Sequence, residues 1–534
     1  MQLLHRSCLM GRTLALVASP RLVCCRPAAL CRRGLALQLR AQAATLTAQP
    51  ANSVLTTAPP DPTTRPPAKY LGTVMTDGPK PEMDDVTAGM MAGTIPKPGE
   101  SDRSKFKLHW SVDFWRDFRI PQEMQSDDSS IGTKFQTLAS NARKAGVWTS
   151  PQSVAYWTYH MGRSTLLALQ GFAGLWAAER TAQALAAQTT SSKGRQDTVP
   201  RSGGWKTQGI LKWGIGPLYE AMAMFWQDYK NITAGAYKLP WDMTTTGHRQ
   251  WNPLHIFSTA RAFISEAVST LERRNKGLPE DVWLRSPLYP EYYMNTFHYQ
   301  TDGWLSQQSA QVYELSTETL FVGRQDAMQR QTLIPLADHF RSRPAGAGAP
   351  KILEVACGTG RFATFLKDNH PTAQVTALDL SPYYLAEARK NLADWARLRG
   401  GSSRTTPPVD AFLQAPAEGI PMPDGHYDAV TCVYLFHELP PEVRRKVAKE
   451  MARVVKPGGM VVLTDSAQLG DRPQWDATMG GFSNFNEPYY RSFIATDLGA
   501  LFEDAGLKAD MKLMASSTKV LSFTKPLPAS SGAQ

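Results

Sequence analysis

The stretch KILEVACGTGRFATFLKDNHPTAQVTALD, residues 351–379, decides the fold of the second half of the chain. Its apolar run Ile352–Ala356 predicts a short buried strand, and the glycine-containing turn Cys357–Gly360 follows at once. Apolar residues at helical spacing come next, and a second apolar run, Gln374–Leu378, predicts another strand that ends at Asp379. The stretch therefore predicts a strand, a turn, a helix and a second strand, which together form a βαβ unit.

The turn and the acid of this unit suit an adenine nucleoside. Glycines let the backbone approach a ligand closely, and Asp379, 19 residues after Gly360, can accept hydrogen bonds from ribose hydroxyls. Gly358, Gly360 and Ala363 also satisfy the dinucleotide pattern G-x-G-x-x-G/A, so a nicotinamide or flavin enzyme is one alternative. Glu354 lies inside the first strand, where dinucleotide-binding strands are usually apolar. An acid at that place favours a cationic ligand such as S-adenosylmethionine.

Three motifs of the chain resemble those of class I S-adenosylmethionine-dependent methyltransferases, and they occur in the same order. EVACGTGRF at 354–362 resembles motif I, APAEGIPMPDGHYDAVTCV at 415–433 resembles the acidic loop and fourth strand, and RVVKPGGMVVL at 453–463 resembles the Pro-Gly-Gly turn and fifth strand. The closest likeness is to the branch that contains the ubiquinone/menaquinone C-methyltransferases. The resemblance implies an α/β fold with a Rossmann-like seven-stranded sheet, S-adenosylmethionine as the cofactor, and a small-molecule acceptor.

The resemblance also assigns the cofactor contacts. The two glycines of the turn would approach the homocysteine part, the strand acid the methionine amino group, the second acid the ribose, and the later residues the adenine. The implied cofactor-binding residues are Glu354, Gly358, Gly360, Asp379, Leu380, Ala417, Glu418 and Tyr434. Pro416 stands where the family often has an acid that binds the adenine amino group. That contact is left open, with Gln414 as an alternative.

His437 and Glu438 are the predicted catalytic residues. They follow the predicted fourth strand, at the sheet edge where ligands gather in open α/β sheets. An imidazole titrates near working pH, so His437 is interpreted as a general base that Glu438 orients, or beside which Glu438 binds the acceptor. Two alternatives remain: His437 caps the next helix, or transfer to a good nucleophile needs alignment and no base. No metal ligand is predicted.

An aromatic-rich segment, residues 287–332, precedes the first strand of the βαβ unit. It resembles a segment of uncharacterised plant, algal and cyanobacterial methyltransferase-like proteins. It is interpreted either as a lid over the cofactor, since aromatic rings can face a sulfonium, or as filler between two domains. Arg324 and Asp326 within it are expected to pair with each other or to cap helices. Tyr490, in the insertion at 466–492, is expected to roof the acceptor pocket.

Composition bounds the remaining chain. Residues 1–60 hold seven Arg and no Asp, Glu or Lys, so they supply +7 of the net charge of +11. This composition predicts an organellar transit peptide, of the chloroplast or alternatively the mitochondrion. The remaining charge forms no basic stripe, so no nucleic-acid partner is expected. The predicted regions are a transit peptide (1–60), a disordered linker (61–104), a mainly helical domain (105–286), an aromatic lid or connector (287–332), a methyltransferase domain (333–525) and a tail (526–534).

A helix predicted over Ser153–Gln188 has a largely apolar centre, Thr165–Ala178, of 14 residues. That centre is short for a membrane span, so core packing, peripheral membrane contact and a true span are the alternatives.

The predicted function is a methyltransferase that acts on a small, hydrophobic acceptor (a lipid, quinone or pigment-like molecule) in an organelle. A non-catalytic S-adenosylmethionine-binding assembly factor and a protein or RNA methyltransferase are the alternatives.

Overall fold

One eight-stranded sheet organises the part of the chain that the computed structural model describes, which is residues 85–125, 129–192, 207–275, 282–298, 300–344, 346–399, 411–485 and 487–528. Its strands are β1 (Lys107–Leu108), β2 (Lys351–Val355), β3 (Gln374–Asp379), β4 (Ala411–Gln414), β5 (Tyr427–Val433), β6 (Val455–Ser466), β7 (Lys508–Ala515) and β8 (Thr518–Thr524). Their order across the sheet is β1-β7-β8-β6-β5-β2-β3-β4. Strands β2 to β6 run parallel, and β8 runs antiparallel to both β6 and β7.

The central strands are apolar because they are covered on both faces. Ile352, Leu353 and Val355 of β2 are fully buried, as are Val461 and Val462 of β6. Burying an aliphatic side chain of this size contributes about 1.5–3 kcal/mol, so near-continuous apolar runs are typical of such parallel strands. The prediction of a Rossmann-like α/β fold with these strands at its centre is confirmed.

Helices cover both faces of the sheet and fill the N-terminal region. Those among the described residues are α1 (Asp85–Ala92), α2 (Pro98–Lys105), α3 (Ser111–Asp117), α4 (Gln122–Gln125), α5 (Ile131–Lys144), α6 (Pro151–Ser192), α7 (Thr207–Thr233), α8 (Pro253–Asn275), α9 (Gln307–Leu320), α10 (Gln325–Gln329), α11 (Leu333–Arg341), α12 (Arg361–Asn369), α13 (Pro382–Arg399), α14 (Pro441–Val454), α15 (Asp476–Met479), α16 (Tyr490–Ile494) and α17 (Leu498–Glu503). The mainly helical character predicted for the N-terminal region is confirmed.

The sheet has one strand more than the seven predicted. The additional strand, β1, comes from the N-terminal region, and its Lys107 and Leu108 pair in parallel with Met511 and Lys512 of β7. An uncovered edge strand exposes unpaired backbone groups, and β1 together with the helix α3 that follows it covers part of the β7 edge. The N-terminal region is therefore built into the sheet.

The prediction of a disordered linker at 61–104 is wrong for residues 85–104, which form α1, α2 and the turn between them. Helix α2 is held because its Asp102 carboxylate is fully buried and accepts hydrogen bonds from Lys512 (2.9 Å) and Lys519 (2.7 Å). The predicted transit peptide (1–60) and residues 61–84 and 529–534 lie outside the described residues.

Buried ion pairs join the N-terminal helices to the rest of the fold. Four acids on or just after α2 and α7 face lysines and arginines from residues 324–519, and we call these residues the polar interface. Its pairs are Asp102 with Lys512 and Lys519, Glu220 with Arg324 and Arg472, Asp228 with Arg330, and Asp242 with Arg361. These charged pairs add to apolar contacts between the same two parts, such as that of Phe106 with Phe523, whose ring centroids are 5.3 Å apart.

Helix α6 covers the helix predicted over Ser153–Gln188. Its Tyr156, Trp157 and Leu167 are buried, whereas Leu166 and Leu169 are exposed. The apolar centre thus packs against the core along one face and presents leucines to the outside along another. Among the helices of the described residues, none combines the length and the apolar character that crossing a membrane requires.

Candidate active site

The glycine turn (356–360) bends the chain between β2 and α12. Ala356, Gly358 and Gly360 all have positive φ, of 55°, 56° and 72°. A Cβ on Gly360 would lie 3.0 Å from the Cβ of Ala388, so a side chain there would crowd helix α13. Around Gly358, no atom lies within 4 Å of where a Cβ would stand. The turn therefore presents open backbone at the carboxyl end of β2.

Asp379, at the end of β3, fastens this turn. Its Oδ2 accepts a hydrogen bond from the Gly358 N–H and its Oδ1 accepts one from the Ser381 N–H, both at 2.8 Å. Burial raises the pKa of Asp379 to about 6, although these backbone groups act in the opposite direction. Asp379 is therefore ionised at neutral pH and lies beside the open turn; that it binds a ribose stays a prediction.

A small acidic cavity lies behind the turn. It measures about 50 Å³, and Glu354, Glu318 and Gly358 are among its lining residues. The Oε2 atoms of both glutamates are buried, and neither has a hydrogen-bond partner among the described residues. Burial raises the pKa of Glu354 well above its usual range, and Asp379 raises it further. Burial also raises the pKa of Glu318 to about 7, against the opposing effect of Arg163.

The cavity therefore fits a cationic ligand. A bound cation would favour the charged form of both glutamates, and an ammonium group would supply the missing hydrogen bonds. Arg361 at the start of α12 does not neutralise these acids, because it already pairs with Asp242 and Asp326 at 2.6 Å each. An anionic group such as a pyrophosphate would meet repulsion here. The residues present thus fit the ammonium and sulfonium groups of S-adenosylmethionine.

Arg324 and Asp326 do not pair with each other, but Arg324 Nε donates to the carbonyl oxygen of Phe321 at the end of α9 (2.8 Å), which is the helix cap that was the predicted alternative. Asp326 accepts hydrogen bonds from Arg361, at 3.1 and 2.6 Å, and Arg324 lies 3.1 Å from Glu220. Sequence proximity suggested a local pair. Both residues instead serve contacts with distant parts of the chain.

The aromatic segment (residues 289–314) lies across the carboxyl ends of β2, β3 and β4. Hydrogen bonds tie it to the chain after each of these strands. They include Thr359 Oγ1 to Glu314 Oε1 (2.9 Å), Ser381 Oγ to the Trp304 carbonyl oxygen (2.5 Å), and Tyr292 Oη to Glu418 Oε1 (2.8 Å). The rings of Tyr293 and Phe297 stack on that of Trp304, with centroids 5.1 and 4.7 Å away. This placement favours the lid interpretation over filler between domains.

The residues predicted to contact adenine gather at the same edge. Ala417 is buried, Leu380 is half-buried, and Gln414 donates a hydrogen bond to the Leu380 carbonyl oxygen at 3.4 Å. The Oε2 of Glu418 is buried and has no partner among the described residues. Glu418 thus brings an acid close to the place where Pro416 lacks one.

Tyr434 lies at the cavity, as predicted, but its hydroxyl is used within the fold. That hydroxyl and Thr518 Oγ1 are 2.7 Å apart, and the ring stacks on Phe321 with centroids 6.5 Å apart. Its φ of 57° marks a second left-handed turn at the sheet edge, after β5. That Tyr434 contacts the cofactor stays a prediction.

His437 is held between two acids. Its Nδ1 lies 2.6 Å from Asp465 Oδ1 and its Nε2 lies 3.3 Å from Glu438 Oε1. Burial alone would lower the pKa of His437, but Asp465 and Glu438 raise it well above the usual range. A protonated imidazole is a poor base, so this geometry favours a positioning role, and the predicted base role stays a prediction. The ring of Tyr490 lies 6.2 Å from that of His437. That Tyr490 roofs an acceptor pocket stays a prediction.

Sequence reasoning missed several residues at this edge. Asp465 directly follows the apolar run of β6, and an acid at the carboxyl end of a parallel strand was the signal for it. Glu314 and Glu318 lie one turn apart on α9, which gave no such signal because helical acids are usually solvated. Glu314 contacts Thr359 of the turn and Asn391 of α13, and Glu318 contacts Arg163 of α6 and the backbone of Asp326 in α10.

The sheet and the sequence agree on a family. Antiparallel β8 lies between β6 and β7, which differs from the 3-2-1-4-5-6 order typical of dinucleotide sites. Residues 352–459 match the family model described as a methyltransferase domain. This part of the chain is a class I S-adenosylmethionine-dependent methyltransferase domain. The dinucleotide alternative is therefore wrong.

Relatives of the methyltransferase domain cover only part of the chain. The demethylmenaquinone methyltransferase of Thermus thermophilus is 39% identical over 118 residues, which are 22% of this chain and 48% of the relative. The fatty-acid O-methyltransferase of Mycolicibacterium smegmatis is 31% identical over 144 residues, which are 26% of this chain and 46% of that relative. The chain thus spans about half the length of these relatives. An O-methyltransferase family protein of Burkholderia thailandensis has a solved structure with 18% identity and a TM-score of 0.33, covering 51% of this chain and 73% of that protein.

Proposed function

We propose that this chain transfers the methyl group of S-adenosylmethionine to a small, hydrophobic acceptor. One observation carries the proposal: two buried carboxylate oxygens without partners among the described residues, on Glu354 and Glu318, line a cavity beside the open backbone of Gly358. Glu318 is partly compensated by Arg163, 3.3 Å away, whereas the pKa of Glu354 is raised by burial and by Asp379 with no cation acting against them. A buried acid in the position of Glu354 selects a cation over a neutral or anionic nucleotide. The match of residues 352–459 to the methyltransferase domain supports the same ligand.

The chain's own residues would hold the cofactor. When bound, S-adenosylmethionine supplies an activated methyl group, which passes to the acceptor nucleophile as the C–S electron pair returns to sulfur. Glu354 would bind the ammonium group, and Asp379 would accept hydrogen bonds from the ribose. Leu380 and Glu418 would contact the adenine. The aromatic segment would exclude water from the reacting atoms.

The acceptor class follows from the walls of the site and from the relatives. The rings of Tyr490 and Phe493 of α16 lie beside His437, and those of Phe297 and Tyr313 lie beside each other in the aromatic segment. Aromatic walls suit planar or aliphatic molecules. The two relatives above are named for demethylmenaquinone and for fatty acids, which are both hydrophobic.

We also propose that the reaction takes place in the chloroplast. The support is the composition of residues 1–60, with seven Arg and no acid or Lys. The full chain carrying a fluorescent protein at its C-terminus should accumulate in plastids, and the same fusion without residues 1–60 should stay outside. Accumulation in mitochondria would contradict the choice of organelle and leave the chemistry untouched.

Calorimetric titration of the full chain with S-adenosylhomocysteine tests the cofactor site. Micromolar binding is expected, with at least tenfold weaker binding in Asp379→Ala. NADH should not bind. Asp394→Asn is the matched control because Asp394 is a half-exposed acid of α13 that pairs with Arg397, and it should bind like the wild type. A folded chain that binds no S-adenosylhomocysteine would refute the proposal, and binding without turnover on quinone and lipid extracts would favour an assembly factor.

A further inference from the structure

Three buried side chains from distant parts of the sequence meet beside the candidate active site. They are His298 of the aromatic segment, Glu438 after β5 and Glu487 of the insertion after β6, with exposures of 7%, 8% and 3%. One ligand atom of each lies within 4.8 Å of the other two. His298 Nε2 and Glu487 Oε1 are 3.1 Å apart.

The two carboxylates of this cluster are short of partners. Glu438 Oε1 and Glu487 Oε2 are buried and have no hydrogen-bond partner among the described residues. Two buried like charges are costly unless a cation lies between them. His437 serves only one of the two carboxylates: its Nδ1 bonds to Asp465, its Nε2 lies 3.3 Å from Glu438 Oε1, and Glu487 Oε2 keeps no hydrogen-bond partner among the described residues.

We propose that His298, Glu438 and Glu487 bind a divalent metal ion of the zinc or manganese type. One imidazole and two carboxylates form a ligand set that such ions accept, and the mixed nitrogen and oxygen donors fit them better than they fit Mg²⁺ or Ca²⁺. Ligand atoms about 2.1 Å from one ion lie about 3.0–3.4 Å from each other at octahedral or tetrahedral angles. The 3.1 Å between His298 and Glu487 matches that spacing.

The surroundings support the three ligands. Phe297 packs edge-on against the His298 ring, with centroids 4.1 Å apart. His437 lies 3.3 Å from Glu438 and is fixed by Asp465 in turn, which is the kind of outer contact that orients metal ligands. His437 is then a positioning residue for Glu438. A positioning role of this kind accounts for the location of His437 between Asp465 and Glu438 and does not require His437 to act as a base.

Three protein ligands leave at least one coordination position open. A metal ion with an open position binds and polarises an oxygen ligand such as a hydroxyl, an enolate or a carboxylate. The ion would therefore hold an acceptor with an oxygen donor at the end of the aromatic pocket. This last step rests on the proposed function; the metal site itself does not.

Metal binding by the full chain tests the inference. Protein freed of metal with a chelator is titrated with Mn²⁺ and with Zn²⁺ in the calorimeter, with S-adenosylmethionine absent and Mg²⁺ for comparison. One ion per chain is expected, with affinity at least tenfold lower in Glu487→Gln and in His298→Ala. Glu442→Gln should match the wild type because Glu442 is an exposed acid of the neighbouring α14.

Retained circular dichroism shows that each variant is folded, and His298→Asn replaces any variant that is not. A folded wild type that binds no ion, or undiminished binding in both ligand variants, would overturn the assignment. A chain that binds Mn²⁺ or Zn²⁺ but no S-adenosylhomocysteine would keep the metal site and refute only the proposed function.

Discussion

The cofactor end of the sheet and the polar interface use buried acids in opposite ways. At the cofactor end, Glu354 is buried without a compensating cation, beside a turn with open backbone. At the polar interface, Asp102 is buried between Lys512 and Lys519. A buried charge that is paired with an opposite charge contributes to the contact between two parts of the fold. A buried charge without such a partner is typical of a ligand-binding site. Removing the charge of Asp102 should therefore destabilise the fold, whereas removing the charge of Glu354 should stabilise it.

The largest expected effect is at the polar interface. Asp102→Asn leaves two buried lysines that share the single carboxylate of Asp471. Breaking a buried ion pair by removing one partner costs about 3–5 kcal/mol, so the free energy of unfolding should fall by about that amount. Urea denaturation of the full chain measures it.

The control for this prediction is Asp113→Asn. Asp113 also pairs with an N-terminal cation, Arg103 at 2.8 Å, but its side chain is 61% exposed. Exposed pairs contribute little, so the change should be about 0.5 kcal/mol or less. Equal losses in the two variants would show that the polar interface does not depend on burial of its charges.

The same contrast explains what the sequence could predict. Strand β2, the glycine turn and Asp379 lie within 29 residues, and their apolar period and glycine spacing are local signals. The sequence of helix α2, PGESDRSK, has no periodic apolar residues and therefore predicts a linker. The helix is stabilised by the ion pairs of its Asp102 with Lys512 and Lys519, which lie more than 400 residues further along the chain. The cluster of His298, Glu438 and Glu487 escaped prediction for the same reason, because no spacing links its members.

The next effect concerns Glu354→Gln, which should act in opposite directions on stability and on binding. In the wild type the folded-state pKa of Glu354 lies above its unfolded value near 4.5, so this group costs stability as the pH rises through that range. Glutamine removes the cost, and the free energy of unfolding should rise by about 1 kcal/mol at neutral pH. S-adenosylmethionine should bind at least tenfold more weakly, which is about 1.4 kcal/mol.

Thermal unfolding and calorimetry of the same variant check both signs. Asp394→Asn is the control, and neither its free energy of unfolding nor its affinity for S-adenosylmethionine should differ from those of the wild type. Loss of stability in Glu354→Gln would contradict the idea that this acid lacks a partner in the unliganded protein.

A smaller effect is the pH dependence of cofactor binding. Because the pKa of Asp379 is raised to about 6, the carboxylate is ionised above that pH and protonated below it. Affinity for S-adenosylhomocysteine, which keeps the ribose and lacks the sulfonium, should fall by up to about tenfold per pH unit below 6. Asp379→Asn should bind weakly and lose the part of this fall that is due to Asp379, while the part due to Glu354 and Glu318, whose pKa values are also raised, stays in both proteins. A wild-type affinity that stays constant between pH 5 and about 7 would exclude ionised Asp379 as a ribose ligand.

The smallest effect tests whether the aromatic segment opens. The cavity of about 50 Å³ is well below the roughly 300 Å³ of small ligand sites, so the segment has to move to admit a cofactor. Tyr292→Phe removes the hydroxyl that donates to Glu418 at 2.8 Å, one of the hydrogen bonds that hold the aromatic segment. Such a bond contributes about 1 kcal/mol, so cofactor association should be up to about fivefold faster.

Stopped-flow fluorescence of Trp304 and the other tryptophans follows the rate of cofactor association. Tyr427→Phe is the control because its hydroxyl, at the other end of β5, is buried without a partner among the described residues. Equal rates in wild type and Tyr292→Phe would show that the segment is a fixed wall and that the cofactor enters elsewhere.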